Sequence, residues 1–404
     1  MPENPYVLEM YTGLWLWREQ PKQYRRFDIE LTERCNLNCI HCYINRPAGD
    51  QAARAAEMST ERIKAILQEA ADLEKLVIKM TGGEPLLRND FEEIYTFARR
   101  LGFKVELFTN ATLTTPRLAD LFAHIPPLDK IDISVYGMSA ESYEAVTRRP
   151  GSYKAFRRAI DLLLEREVPI AVKMIVLPPN KHEVKAFEEW SATIPGMDQT
   201  PPIGALYSKR TRRDSDSKSD AIAEMRHTPE EMVSMLRRDQ EGYRASMQAF
   251  CGKFMGPPGE LLFGCGSGLT GAVDAYGRLQ PCLAMRHPDY TIDLAEHSLR
   301  ECLLEIYPRM REIRAKNPEY LARCARCFLK ALCGQCPGNS WSEHGELDQP
   351  VEYLCDVAHT QARSLGLLEE GENAWDIDDW EARVQTIMEG SPWSQAPGNH
   401  PGHE

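Results

Sequence analysis

Three cysteines, Cys35, Cys39 and Cys42, stand at C-x3-C-x2-C spacing directly after the run Phe27-Asp28-Ile29-Glu30-Leu31. That run alternates apolar and polar residues like a short strand. The thiols therefore fall on a loop leaving a strand, where the sites of repeated β/α folds gather. Three thiolates so close together can converge on one metal centre. A four-iron cluster ordinarily takes four cysteines. Three leave one iron with an open position, which chemistry needs and a structural site avoids. A zinc site short of one ligand, or buried free thiols, are the plainer alternatives. The other nine of the twelve cysteines fall between residues 251 and 355. Cys324-x2-Cys327-x5-Cys333-x2-Cys336 is the densest group, with Cys355 beyond it and Cys251, Cys265, Cys282 and Cys302 before it. Two C-x2-C pairs suit structural zinc as well as iron.

The elements that must position these groups alternate. Strand signals at 27–31, 76–80, 104–108, 130–135, 169–176 and 203–207 are separated by helical patterns near 59–73, 89–101, 115–123, 140–147, 153–165 and 184–190. Ser59 is a candidate N-cap. Six β/α units with parallel connections predict a parallel sheet with outer helices. Residues 1–26 are a lead-in containing Trp15 and Trp17, and 27–207 hold the β/α units. The stretch 208–250 is a charged loop, at 208–220, and a bridging helix; 251–365 form a cysteine-rich domain with a hairpin turning near Tyr276-Gly277. Residues 366–404 read as an acidic, largely disordered tail.

A length of 404 residues suits two domains, and 43% hydrophobic residues predict a sizeable core. A net charge of −12 argues against nucleic acid or an anionic membrane surface as partner. Residues 1–20 carry no basic segment followed by an apolar one, and no run of about eighteen apolar residues occurs. A cytoplasmic protein is expected, and its cysteines read as metal or redox ligands rather than disulfides.

The Cys35–Cys42 loop resembles the signature of the radical S-adenosylmethionine (radical SAM) superfamily, with His41 in its aromatic slot. Thr81-Gly82-Gly83-Glu84-Pro85, after the strand at 76–80, resembles that superfamily's second motif. The resemblance implies a partial (β/α)6 TIM-like barrel. It also implies a [4Fe–4S] cluster on Cys35, Cys39 and Cys42 whose open iron chelates S-adenosyl-L-methionine (SAM). One-electron cleavage of SAM would give a 5′-deoxyadenosyl radical that abstracts a substrate hydrogen. On this reading Gly82, Gly83 and Glu84 face the methionine moiety and Tyr43 meets adenine. Asn110 and Ser134 bind ribose or carboxylate, and Arg149 pairs with the carboxylate. Lys173 either points into the barrel or pairs a barrel carboxylate. No catalytic acid or base is assigned.

The second cysteine field resembles the SPASM domain, the C-terminal extension of many radical SAM enzymes. Gly277-x4-Cys282 matches its pattern, whereas Cys333-x2-Cys336 is one residue short and the gap from Cys265 to Cys282 slightly long. That likeness implies two auxiliary [4Fe–4S] clusters. Cys324, Cys327, Cys333 and Cys355 would hold the outer one; Cys265, Cys282 and Cys336 would hold the inner one, with Cys251 or a vacant iron completing it. Cys302 reads as a buried thiol.

The implied substrate is a peptide or small protein that is crosslinked, epimerised or otherwise matured. The implied electron donor is a flavodoxin or ferredoxin, and leader binding would need a separate protein or the 208–220 loop. A small-molecule enzyme trimming modified haem side chains is the runner-up. Sulfatase maturation is disfavoured, because Leu283 follows Cys282 where that branch places an acidic residue. A non-enzymatic iron–sulfur carrier would leave the second motif without purpose.

Overall fold

The structure, a computed structural model, describes residues 26–42, 46–127, 130–197, 203–204, 216–237 and 240–389. Six parallel strands follow one another across a sheet: β1 (Arg26–Thr32), β2 (Val77–Gly82), β3 (Lys104–Thr109), β4 (Ile131–Val135), β5 (Ile170–Ile175) and β6 (Ile203–Gly204). Alternation dictates their two faces. Phe27, Ile29 and Leu31 of β1, Ile78 and Met80 of β2, Val105 and Leu107 of β3, and Ile131 and Ile133 of β4 are all buried. The opposite face carries Asp28, Glu30, Lys79, Phe108, Asp132, Ser134 and Lys173, the polar lining expected of a barrel interior.

Helices α1 (Gln51–Ala56), α2 (Thr60–Asp72), α3 (Phe91–Arg100), α4 (Pro116–His124), α5 (Ala140–Thr147), α6 (Ser152–Leu164) and α7 (Val184–Ser191) connect the strands. In α2, Ser59 caps the start by accepting from the Arg62 N–H at 3.2 Å. Ile63, Ile66, Leu67 and Ala70 recur at helical spacing and are buried. This is the partial (β/α)6 TIM-like barrel that the resemblance implies, built from the parallel strands and outer helices that their alternation predicts.

The sheet has nine strands, however, because residues beyond the barrel extend it. β7 (Ala272–Val273) lies parallel to β1, pairing Asp28 with Ala272. β8 (Arg278–Gln280) and β9 (Ile292–Asp293) continue antiparallel. The expected hairpin is present. Asp274, fully buried, accepts from the Tyr276 N–H at 2.9 Å and the Arg278 N–H at 3.0 Å, and Gly277 takes φ 82°, where a side chain would be strained.

The described chain divides into two compact units. The first joins residues up to Arg226 with Cys265–Arg311; the second joins His227–Gly264 with residues from Glu312 onward. The stretch 251–365, read from sequence as one domain, is thus shared between them. The second unit contains helices α9 (Pro229–Leu236), α10 (Gln240–Phe254), α11 (Pro337–His344), α12 (Glu352–Leu365) and α13 (Trp380–Glu389), and α12 and α13 contribute Ala362 and Val384 to an apolar core that includes Phe328 and Leu367.

Two expectations need correction. Within the expected charged loop, α8 (Asp216–Glu224) is helical, since Ile222 supplies a buried anchor; residues 208–215 lie outside the described residues. The tail is folded as far as Glu389. Leu367, Leu368, Ala374 and Val384 are buried, and Trp380 stacks on Phe328 at 5.9 Å between ring centroids. Residues 390–404, Trp15, Trp17 and Tyr43 lie outside the described residues. Among the described residues, no helix is long and apolar enough to cross a membrane.

Candidate functional site

Cys35 leaves the end of β1 through a segment held by buried charge. Arg34 donates from Nε and Nη2 to the two carboxylate oxygens of Glu57 at 2.8 and 2.9 Å, and from Nη1 to the Ala48 carbonyl at 3.1 Å. Both side chains are under a tenth exposed, so the bidentate pair is shielded from water and fixes the loop's exit. Arg88 adds donors to the Leu31 and Met58 carbonyls, each at 3.1 Å. On the far side, the Asn38 and Ile40 N–H groups donate to the carbonyls of Thr147 and Val146 at the end of α5.

The second motif packs directly on this exit. The Gly83 N–H donates to Thr32 O at 2.7 Å and the Glu84 N–H to Arg34 O at 2.9 Å. A Cβ at Gly82 would stand 2.2 Å from Thr32 O, and one at Gly83 2.3 Å from Arg34 O. Glycine is required at both positions by that approach, and Gly82 also takes φ 138°. With these N–H groups spent on the β1 exit, what the motif can turn toward a ligand's amino group is carbonyl oxygen.

Glu84 is fully buried, and its carboxyl is engaged by neighbouring donors instead of lining the cavity at the cysteine loop. It accepts from Thr109 Oγ1 at 2.7 Å, the Asn110 N–H at 2.8 Å and the Leu86 N–H at 3.1 Å. Burial outweighs these donors and pushes it up to about 7. Asn110, at the β3 end, donates from Nδ2 to Asn36 Oδ1 at 3.1 Å and toward Cys35 Sγ at 3.7 Å, while its Oδ1 accepts from Thr112. Cys35, Cys39 and Cys42 line one cavity of about 200 Å³ together with Gly82, Gly83, Phe108, Asn110, Ser134 and Tyr136. The ends of β1 to β4 thus meet where the thiols are.

Several placements differ from the sequence reading. Arg149 is exposed in the turn after α5 and does not line this cavity. Lys173, by contrast, fulfils both expectations: on the interior face of β5 it pairs with the barrel carboxylate Asp132 and lies over the Phe108 ring at 4.8 Å. His41 is enclosed, its centroid 5.7 Å from that of Tyr136. Burial lowers it to about 4, so it packs as a neutral ring. Arg34, Glu57, Arg88, Asn36 and Tyr136 were not read from sequence. Only Arg34 and Asn36, which flank Cys35, carried a local hint.

Burial pushes Cys35 up to about 12 and Cys39 well above the ordinary thiol value, and the neighbouring thiols add to the effect. Cys35 Sγ nevertheless accepts from the Leu37 N–H at 3.4 Å. A desolvated sulfur supplied with N–H donors fits an iron-bound thiolate, whose charge the metal neutralises. Among the described residues, no three histidine, cysteine or carboxylate side chains stand in the geometry of one metal ion. A cluster places each thiolate on a different iron, so its ligands need not crowd around one point.

In the second unit, Cys324, Cys327, Cys333 and Cys355 lie within electrostatic reach of one another. Burial pushes Cys324 and Cys333 up to about 12 and Cys327 up to about 11. The Gln335 N–H donates to Cys333 Sγ and the Asn339 N–H to Cys336 Sγ, both at 3.4 Å. In the first unit, Cys282 accepts from Ser267 and from the Ala284 and Met285 N–H groups, and Cys265 lies near it. Cys251 is buried within α10, and burial alone pushes it up to about 11. Cys302 is fully buried in the first unit, as expected of a packing thiol.

A fold of this kind, with three thiols on the loop after β1 and a Gly-Gly-Glu-Pro motif at the end of β2, defines a radical SAM domain. The radical SAM superfamily model matches residues 29–190, so this stretch of the chain is a radical SAM domain. Such a domain implies SAM and a [4Fe–4S] cluster as cofactors. An AdoMet-dependent heme synthase of Methanosarcina barkeri is 26% identical over 346 residues, covering 80% of this chain and 94% of that protein. A probable GTP 3′,8-cyclase of Methanosarcina acetivorans is 34% identical over 167 residues, 40% of this chain and 49% of that protein. Among solved structures, anSMEcpe with bound AdoMet and the Cp18Cys peptide aligns with TM-score 0.55 and 13% identity, over 90% of this chain and 98% of that one.

Proposed function

We propose that this chain cleaves SAM reductively and takes a hydrogen atom from a carbon of its substrate. The carrying observation is the single cavity lined by Cys35, Cys39, Cys42 and the ends of β2 to β4. When bound on these thiols, the cluster supplies the electron that breaks a carbon–sulfur bond of SAM, releasing the radical that abstracts the hydrogen. The residues do the positioning. Cys35, Cys39 and Cys42 would hold three irons. The carbonyls of the Gly82–Gly83 turn would orient the amino group of SAM, and Asn110 and Ser134 its polar oxygens. Glu84 fixes the β3 end that carries Asn110, and Tyr136 and His41 keep water from the thiols. Cys324, Cys327, Cys333 and Cys355 would hold an outer auxiliary cluster. Cys265 and Cys282 would serve an inner one. A flavodoxin or ferredoxin would supply electrons.

The substrate we favour is a ribosomally made peptide. The likeness in fold to a protein solved with a peptide supports it, since it spans 90% of this chain. The second reading is a modified haem, favoured by the relative named a heme synthase, whose sequence is matched over 94% of its length.

The test is anaerobic. Reconstituted, reduced protein is incubated with SAM and either a short peptide encoded beside its gene or a haem precursor carrying propionate side chains. Release of 5′-deoxyadenosine with loss of two hydrogens from the peptide, or its deuterium exchange without mass loss in unlabelled water, supports the first reading. Propionate loss supports the second. No 5′-deoxyadenosine under any condition would remove both.

A further inference from the structure

We propose that Arg323 is a positioning residue for the outer auxiliary cluster and raises its reduction potential through a charge-assisted hydrogen bond to Cys355. This rests on the reading of Cys324, Cys327, Cys333 and Cys355 as iron ligands.

Arg323 directly precedes Cys324, and its guanidinium is fixed on several sides. Nη1 donates to Glu319 Oε1 at 2.6 Å and to Glu352 Oε1 at 2.7 Å, while Nη2 donates to Glu352 Oε2 at 2.9 Å. The guanidinium carbon lies over the Trp375 ring, 4.8 Å from its centroid. Nη2 then also reaches Cys355 Sγ at 3.6 Å. A surface cation needs none of this scaffolding. Planar, always charged and held in register, the group is built to aim a charge at the sulfur.

Cys355 has a second neighbour of the same kind. The Ala374 N–H donates to His359 Nε2 at 3.2 Å, which leaves the ring proton on Nδ1. Nδ1 lies 2.9 Å from the Cys355 carbonyl and 3.5 Å from its Sγ. Of the four thiols, Cys355 is the one that Arg323 reaches at hydrogen-bond distance, and the same charge acts through space on Cys324 and Cys327.

Reduction by one electron makes a cluster and its thiolates more negative. A fixed positive charge at hydrogen-bond distance stabilises that state more than the oxidised one, and so raises the potential. The opposing carboxylates are more open to water: the Glu319 and Glu352 side chains are 45% and 60% exposed, against 20% for Arg323. Solvent therefore screens them more than it screens the arginine.

The experiment uses the full chain, reconstituted anaerobically, with Cys35, Cys39 and Cys42 replaced by alanine so that only auxiliary clusters are observed. The outer cluster's paramagnetic signal is the one lost on Cys355→Ala. Dithionite titration followed by that signal gives its midpoint. Arg323→Gln is expected to favour the oxidised form about tenfold, a fall of about 59 mV for a one-electron couple. Arg323→Lys, which keeps charge without the fork, falls between. Glu352→Gln removes a neutralising carboxylate and moves the midpoint upward. Opposite signs from two partners of one ion pair are not what a merely structural arginine gives. Unchanged midpoints, or shifts in one direction for both, overturn the proposal. Should Arg323→Gln fail to hold the cluster, Arg323→Lys and Glu352→Gln decide by the same criterion. A parent chain with the three N-terminal cysteines intact but only about four irons would remove the auxiliary-cluster reading itself, and this proposal with it.

Discussion

Thr109 donates to Glu84 at 2.7 Å, with both groups buried. That bond ties the Gly-Gly-Glu-Pro turn after β2 to the end of β3, where Asn110 begins the next wall of the cavity. The glutamate of the motif therefore acts through the backbone it braces.

Glu84 should make stability depend on pH. Its ordinary value is 4.5 and burial pushes it up to about 7. Between those values the folded chain holds a proton that the unfolded chain releases. Stability from this group is present below pH 4.5 and is lost as pH rises through 7, by up to about 3 kcal/mol. Glu84→Gln should flatten that slope. Urea unfolding of the iron-free protein at pH 5 and pH 8 checks it; equal slopes in both proteins would contradict it.

Asn110→Ala should loosen the cysteine loop. It removes the donor toward Cys35 Sγ and the link to Asn36. Loss of a buried polar contact costs about 1–2 kcal/mol. The expected result is about a tenfold fall in kcat/KM for SAM cleavage with iron content retained, read as 5′-deoxyadenosine release.

Arg149→Ala, by contrast, should leave SAM affinity within about twofold, because the residue is exposed and away from the cavity. Isothermal titration with SAM on the reconstituted protein tests this. A tenfold loss would restore Arg149 as a carboxylate partner.

Iron content separates the cysteines by role. The reading of three clusters gives about 12 iron per chain. Replacing Cys35, Cys39 and Cys42 together by alanine should remove about four and abolish SAM cleavage. Cys302→Ala should leave iron unchanged and cost about 1 kcal/mol of stability, since it deletes one buried atom from a packed site. Metal analysis and denaturant unfolding distinguish the two outcomes.

The barrel was legible because its rules are local. Alternation in Phe27–Leu31 gives the faces of β1, and helical spacing in Ile63–Ala70 gives the buried stripe of α2. The thiols at Cys35, Cys39 and Cys42 were legible because a short loop keeps them together. What escaped depends on distant partners. Ala272 and Val273 read as one arm of a hairpin, but their pairing with β1 is specified only by that strand's free edge. Trp380 looks like part of an acidic tail until Phe328 is placed beneath it. Arg34 and Glu57 form a buried pair across a loop whose closure nothing in their spacing specifies.

The pairing of β1 with β7 also has a consequence for how the chain matures on the ribosome. Asp28 is synthesised early, but its neighbour Ala272 emerges only after the whole run of β/α units. Until then the first strand keeps one unsatisfied edge, a template for association with other chains. Such distant closure is slow, because much chain must be ordered before the contact forms. A nascent chain halted before residue 272 should therefore be the form most prone to aggregate, and the one most in need of a chaperone.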